Sequence, residues 1–330
     1  MKKIINQPDH VVDEMLEGLV YAYDHLVRRV PNTTVVTRKL EPSNRVGLVS
    51  GGGSGHEPSH AGFVGKGMLS SAVAGQVFTS PTPDQILEGI KAADEGAGVF
   101  LIIKNYTGDV MNFDMAKDLA ELEDIKVDSI VVDDDIAVED STFTAGRRGV
   151  AGTVFMHKIL GAAADTGATI EEIKALAESV TANLASIGLA LSPATNPEVG
   201  EPGFELGDEE IEFGIGIHGE PGYRKEKLQS SLEMAREFVS QLKKEVDWTE
   251  GDRFAVLVNG MGATPLMEQF VFMNDVRQLL EGEEKLDLVF KKIGDYMTSI
   301  DMAGLSLTLL KIEDDKWVEY LNHPVDVIGW

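Results

Sequence analysis

Runs of apolar, β-branched residues with helical periodicity between them constrain this chain more than any other feature. Residues 46–50, 99–104 and 129–133 read as strands, and the intervening stretches 83–94 and 115–122 carry apolar residues at helical spacing. Strands that alternate with helices build a largely parallel sheet with helices on its faces. Val11, Met15, Leu19, Tyr23 and Leu26 predict an amphipathic helix ahead of the first strand, and further helices are expected over 149–164 and 169–185. Strand patterns resume at 211–217, 254–258, 286–293 and 305–312, with a long charged helix expected over 223–246. Between the halves, "SPATNPEVGEPGFELGDEE" (192–210) is rich in proline, glycine and acids and reads as a surface loop. The expected architecture is α/β with two domains, 1–185 and 186–330, each a largely parallel or mixed sheet flanked by helices.

Ligands of open α/β sheets gather outside the carboxyl ends of the strands. Polar, glycine-bearing loops follow four of the expected strands here: "GGGSGHEP" after 46–50, "NYTGD" after 99–104, "HGEPG" after 211–217 and "NGMGATP" after 254–258. The site is therefore expected at strand carboxyl ends, between the two domains.

The stretch "VGLVSGGGSGHEPSH" (46–60) places Gly51, Gly52, Gly53 and Gly55 in a predicted turn that brings bare backbone close to a ligand. A phosphate-cradling P-loop would need a Gly-Lys-Ser/Thr ending, which is absent, and a dinucleotide fingerprint starting at Gly51 would meet His56 where a small residue is required. "HEPSH" satisfies the zinc-binding H-E-x-x-H pattern, but that motif needs both histidines on one face of a continuous helix. Pro58 is tolerated only in a helix's first turn, which would leave His56 outside it.

Composition removes several classes of function. The net charge of -26 and pI near 4.6 repel nucleic-acid phosphates and anionic lipid. There is no cysteine, hence no disulfide framework or thiol nucleophile, and no apolar run approaches a membrane span. "MKKIINQPDH" lacks the apolar core of a signal peptide, so a cytoplasmic protein is expected, with neither nucleic acid nor membrane as a direct partner.

Several polar residues can do chemistry or serve structure alone. Lys104 and Asp109 flank the predicted turn "NYTG", where the Asp either caps or faces the cleft; His218 ends "FGIGIHGEPG". "FTSPTPD" offers hydroxyls, Ser80 among them, before a helix start. Asp133, Asp134 and Asp135 form either a solvated strand end or a cation site, and Arg147 and Arg148 either grip an anion or neutralise neighbouring acids.

Taken in order, "SGGGSGHEP", "TSPTPD", "IIKNYTGD", "DDDIAV", "TAGRRGVAGTV", "FGIGIHGEPG", "NGMGATPL" and "SIDMAGLSLTLLK" closely resemble the substrate-binding K subunit of dihydroxyacetone kinases over essentially the whole chain. The resemblance implies that Gly53, Ser54, Gly55, Ser80 and Lys104 bind the three-carbon substrate, with His56 and Asp109 in acid–base roles. It also implies that His218 attacks the substrate carbonyl through Nε2 and holds it as a covalent hemiaminal. No metal site is implied. Because no nucleotide motif appears before Trp330, the chain is similar to the stand-alone bacterial type. In that type a separate L subunit holds ADP and magnesium, and a phosphotransferase-system phosphocarrier recharges the nucleotide from phosphoenolpyruvate. A homodimer is also implied. The alternative within the resemblance is a non-catalytic paralogue that senses dihydroxyacetone as a transcriptional co-activator.

Overall fold

The computed structural model describes residues 2–139 and 144–330. In its first part, helix α1 (Val11–Ala22) precedes strands β1 (Val27–Arg29), β2 (Val35–Arg38), β3 (Gly47–Ser54) and β4 (Ser71–Val77). Helix α2 (Pro83–Ala93), strand β5 (Val99–Lys104), helix α3 (Thr107–Glu121), strand β6 (Val127–Val132) and helices α4 (Thr153–Asp165) and α5 (Ile170–Thr181) follow. The second part contains β7 (Leu184–Ala190), β8 (Glu210–Phe213), β9 (Arg224–Lys227), α6 (Ser231–Glu245) and β10 (Arg253–Gly260). It continues through α7 (Leu266–Arg277), β11 (Asp287–Gly294), β12 (Gly304–Lys311) and α8 (Asp315–Asn322).

Two six-stranded sheets result, in the orders β1-β2-β4-β3-β5-β6 and β11-β10-β12-β7-β8-β9. The β4-β3-β5-β6 run is parallel, with antiparallel β2 and β1 at one edge. In the second sheet only β10 and β11 are parallel. Both sheets are thus mixed and helix-flanked, as the alternating pattern leads one to expect.

Helix α4 explains how the sheets are joined. Its residues from Thr153 to Ala164 are all buried, which a helix achieves only when apolar surface covers every side. One apolar cluster contains Val154, Phe155 and Ile159 of α4, Leu48 and Phe100 of the first sheet, and Leu257 and Leu310 of the second. The expected division at 185/186 falls inside β7, and this cluster crosses it. Helix α8 packs on α4, and the segment after it returns to the first sheet's side, where Asp326 N–H donates to Lys66 O at 3.0 Å and Gly329 N–H to Gly62 O at 2.8 Å.

Three local expectations need correction. The helix expected from 223 begins at Ser231, because Ser230 and Glu233 form a capping box there and the charged residues of β9 pair with β8. Helix α3 begins at Thr107 rather than 115, so Asp109 lies in a helix's first turn and not in a loop. Gly51, Gly52 and Gly53 do not form a turn; they extend β3 alongside β4, and the chain turns at Gly55. The glycines are still required by close approach, since a Cβ on Gly53 would sit 2.5 Å from Thr79 N and one on Gly52 would sit 2.3 Å from Lys104 Nζ.

Candidate functional site

A cleft of about 710 Å³ opens at the carboxyl ends of β3 and β5, where the loop after β8 reaches across from the second sheet. Gly53, Ser80, Asp109 and His218 line it, together with Phe78, Thr79, Tyr106 and Asn112. His56 lies directly behind, with its Nε2 3.1 Å from His218 Nε2. Lys104 lies behind Asp109, with Nζ 3.5 Å from Oδ2. The other two candidates face inward: Ser54 Oγ donates to Gly75 O at 2.7 Å, and Gly55 N–H donates to the Glu57 carboxylate at 3.1 Å.

The surroundings of the two histidines fix which nitrogen carries the proton. His56 Nδ1 lies 2.7 Å from the Thr298 carbonyl, which only accepts, so Nδ1 donates and Nε2 keeps its lone pair. His218 Nδ1 lies 2.8 Å from Glu220 Oε1, and Oε2 of the same carboxylate accepts the His218 backbone N–H. With each Nδ1 committed to an acceptor, the two Nε2 atoms face each other at 3.1 Å and can share one proton, and its departure leaves the His218 Nε2 lone pair for chemistry. Burial pushes His56 well below the ordinary histidine value, and His218 and Lys104 push it further, so it is a neutral base. Burial opposes ionisation of Glu220, but His218 and Arg148 outweigh it and hold the carboxyl down at about 2. His56 stacks on Phe78 with ring centroids 5.2 Å apart, and His218 meets Phe78 and Tyr106 edge-on at 5.1 and 4.7 Å. These contacts fix both imidazole planes.

Glu220, Phe78 and Tyr106 were not singled out by sequence reasoning. Glu220 had a signal, an acid two residues after a strand-end histidine in "HGEPG". The aromatics had none, because apolar residues at a strand end resemble core. Of the acidic run "DDD", Asp133 is exposed as a solvated strand end would be, but Asp134 and Asp135 are buried. Asp134 accepts from the Val150 and Gly152 N–H groups and from Ser186 Oγ, tying the start of α4 to β7. Asp135 pairs with Arg148 at 2.7 Å, and both are buried. Arg148 also donates to Gly214 O, which anchors the loop carrying His218. Arg147 pairs instead with Glu245 near the surface. "HEPSH" is not helical, so its histidines do not share the helix face that the zinc motif needs. Among the described residues no group of three or more His, Cys, Asp or Glu is placed to hold a metal.

Two mixed sheets thus pack around a buried helix, and a histidine pair and a carboxylate meet at one cleft. The Dak1 domain matches residues 17–329, and the chain belongs to that family. It is 64% identical to the dihydroxyacetone-binding subunit of the PTS-dependent dihydroxyacetone kinase of Lactococcus lactis, covering 100% of this chain and 99% of that one. It is 44% identical to the L. lactis coactivator of the dihydroxyacetone kinase operon, over 99% of this chain and 100% of that one. Among solved structures, the dihydroxyacetone kinase of C. freundii superposes with a TM-score of 0.91 at 33% identity, over 100% of this chain and 60% of that chain. No helix among the described residues is long and apolar enough to cross a membrane.

Proposed function

We propose that this chain is the dihydroxyacetone-binding subunit of a phosphoenolpyruvate-dependent dihydroxyacetone kinase, and that it holds its substrate covalently on His218. The observation that carries this reading is the orientation of His218, a residue of the cleft lining whose Nδ1 is engaged by Glu220 while Nε2 meets His56. The Nε2 lone pair attacks the carbonyl carbon, the carbonyl π electrons move to oxygen, and one proton passes from the ring to that oxygen. Nothing leaves, so the adduct is the sum of ring and ketone. A three-carbon ketone offers few atoms for contact, and a reversible covalent bond supplies both affinity and orientation. Glycerol has the hydroxyls without the carbonyl and forms no such bond.

His56 then accepts the proton of the substrate hydroxyl, with Asp109 activating the same hydroxyl. Gly53, Ser54, Gly55, Ser80 and Lys104 complete the substrate-binding set. The phosphoryl group comes from a nucleotide held with magnesium on a separate L subunit, recharged through a phosphocarrier. The subunit works as a cytoplasmic homodimer. Identity of 64% to a kinase subunit, against 44% to the operon coactivator, supports a kinase subunit over a sensor.

Intact-protein mass spectrometry after incubation with dihydroxyacetone tests the covalent reading. One whole substrate mass without loss of water is expected, and none with glycerol; an unmodified mass under both conditions contradicts it. Glu220→Gln is expected to slow adduct formation by about tenfold or more, because the Gln amide can donate to Nδ1 and shift the ring proton to Nε2. The same variant has a second readout. The Glu220 carboxyl is depressed from 4.5 to about 2, so its contribution to stability is present above pH 4.5 and is lost as pH falls toward 2. Urea titrations should show a shallower acid decline for Glu220→Gln, and an identical decline would contradict the assigned ion pair.

A further inference from the structure

Beneath the glycine segment of β3, a chain of nitrogen groups runs from the cleft wall into the apolar layer. Lys104 Nζ lies 3.2 Å from the Gly51 carbonyl, 3.1 Å from His60 Nε2 and 3.5 Å from Asp109 Oδ2. His60 Nδ1 lies 2.9 Å from His157 Nε2. Lys104, His60 and His157 are all buried. An ammonium only donates, so His60 Nε2 must accept and the ring proton must sit on Nδ1. Ser50 Oγ, 3.4 Å from that nitrogen, gives its own hydrogen to the Ile102 carbonyl and so also faces Nδ1 as an acceptor. The Nδ1–H donates to His157 Nε2, which leaves the remaining His157 proton on Nδ1, where it has no partner among the described residues. Burial, with Lys104 adding to it, pushes both imidazoles well below the ordinary histidine value, so neither competes for positive charge.

An orphaned buried donor is costly, and a phenyl ring at position 157 would fill similar space without it. The imidazole is explained by what it offers His60, an acceptor that holds its proton on Nδ1. Lys104 in turn has three donors and three acceptors around it, one of them the Asp109 carboxylate at the cleft.

We propose that His60, buttressed by His157, is a positioning residue that aims the Lys104 ammonium at Asp109 and so fixes this carboxylate at the cleft wall. This rests on the reading of the site as a phosphoryl-accepting one, in which Asp109 acts on the substrate hydroxyl. His60 itself touches no substrate.

The two amide replacements separate the nitrogens, since Gln places its amide near Nε2 and Asn places its amide near Nδ1. In a transfer assay reconstituted with the L subunit, His60→Asn is expected to lower kcat on the order of 10- to 100-fold, with KM moving less. His60→Gln is expected to restore most of that loss, because it returns an acceptor to Lys104. The His218 adduct should form in both variants. Wild-type kcat in His60→Asn, or a loss in His60→Gln equal to that in His60→Asn, overturns the inference. If wild-type protein forms no adduct, the fault lies with the reading of the site; adducts in all three proteins with equal kcat place it with His60. Imidazole nitrogen NMR on the wild-type protein with 15N-labelled histidine needs no variant to fold. His60 protonated on Nδ1 supports the proposal, and His60 protonated on Nε2 overturns it.

Discussion

His218→Ala is expected to abolish both the covalent adduct and phosphoryl transfer. No other nitrogen can replace it: His56 Nε2 is 3.1 Å from His218 Nε2 but sits fully buried behind it, against Phe78 and the Thr298 carbonyl. Lys104 is the remaining amine nearby, and its ammonium is engaged by Gly51, His60 and Asp109. A lysine adduct would also differ in mass, because a Schiff base loses water where a hemiaminal does not. An adduct that persists on His218→Ala without loss of water would place the nucleophile elsewhere.

Asp109→Asn separates capture from transfer. The side chain lies in the first turn of α3, 7% exposed, with Oδ2 3.5 Å from Lys104 Nζ. The amide keeps the shape and removes the negative charge and basicity. Adduct formation should therefore continue, while transfer in the reconstituted system falls on the order of a hundredfold to ten-thousandfold. His56→Asn should also slow transfer, with some loss of affinity because its ring backs the cleft. Mass spectrometry and a coupled assay for dihydroxyacetone phosphate read the two steps separately. Loss of the adduct in Asp109→Asn would make Asp109 a binding group and remove it from the transfer step.

Much of this site was legible in the sequence because strand ends and glycines announce themselves. Lys104, at the last position of a β-branched run, could be placed at a carboxyl end without a structure, whereas the strand expected over 211–217 stops at Phe213 and leaves His218 in the loop beyond it. What escaped depended on contacts distant in sequence. Phe78 meets His56 and His218, Thr298 fixes the His56 tautomer from 242 residues away, and Arg148 reaches Asp135 and the Gly214 carbonyl. No periodicity encodes such pairings. The glycine run misled in one respect, since glycines usually mark turns but those of β3 continue the strand, where neighbouring backbone at Gly51 and Gly53 and the Lys104 ammonium at Gly52 leave no room for a Cβ. Asp134 and Asp135 misled similarly, because Val150, Gly152 and Arg148, which engage them, lie beyond residue 147.

The central claim is that this chain presents captured dihydroxyacetone to a phosphoryl donor held by another subunit. It is tested most directly by following dihydroxyacetone phosphate with purified chain, ATP and magnesium, before and after addition of an L subunit with its phosphocarrier and phosphoenolpyruvate. The account expects negligible product from the chain alone and sustained product once the partners are present. Robust turnover by the chain alone would contradict the division of labour, and substrate capture that never yields phosphate with competent partners would make the protein a sensor rather than a kinase subunit.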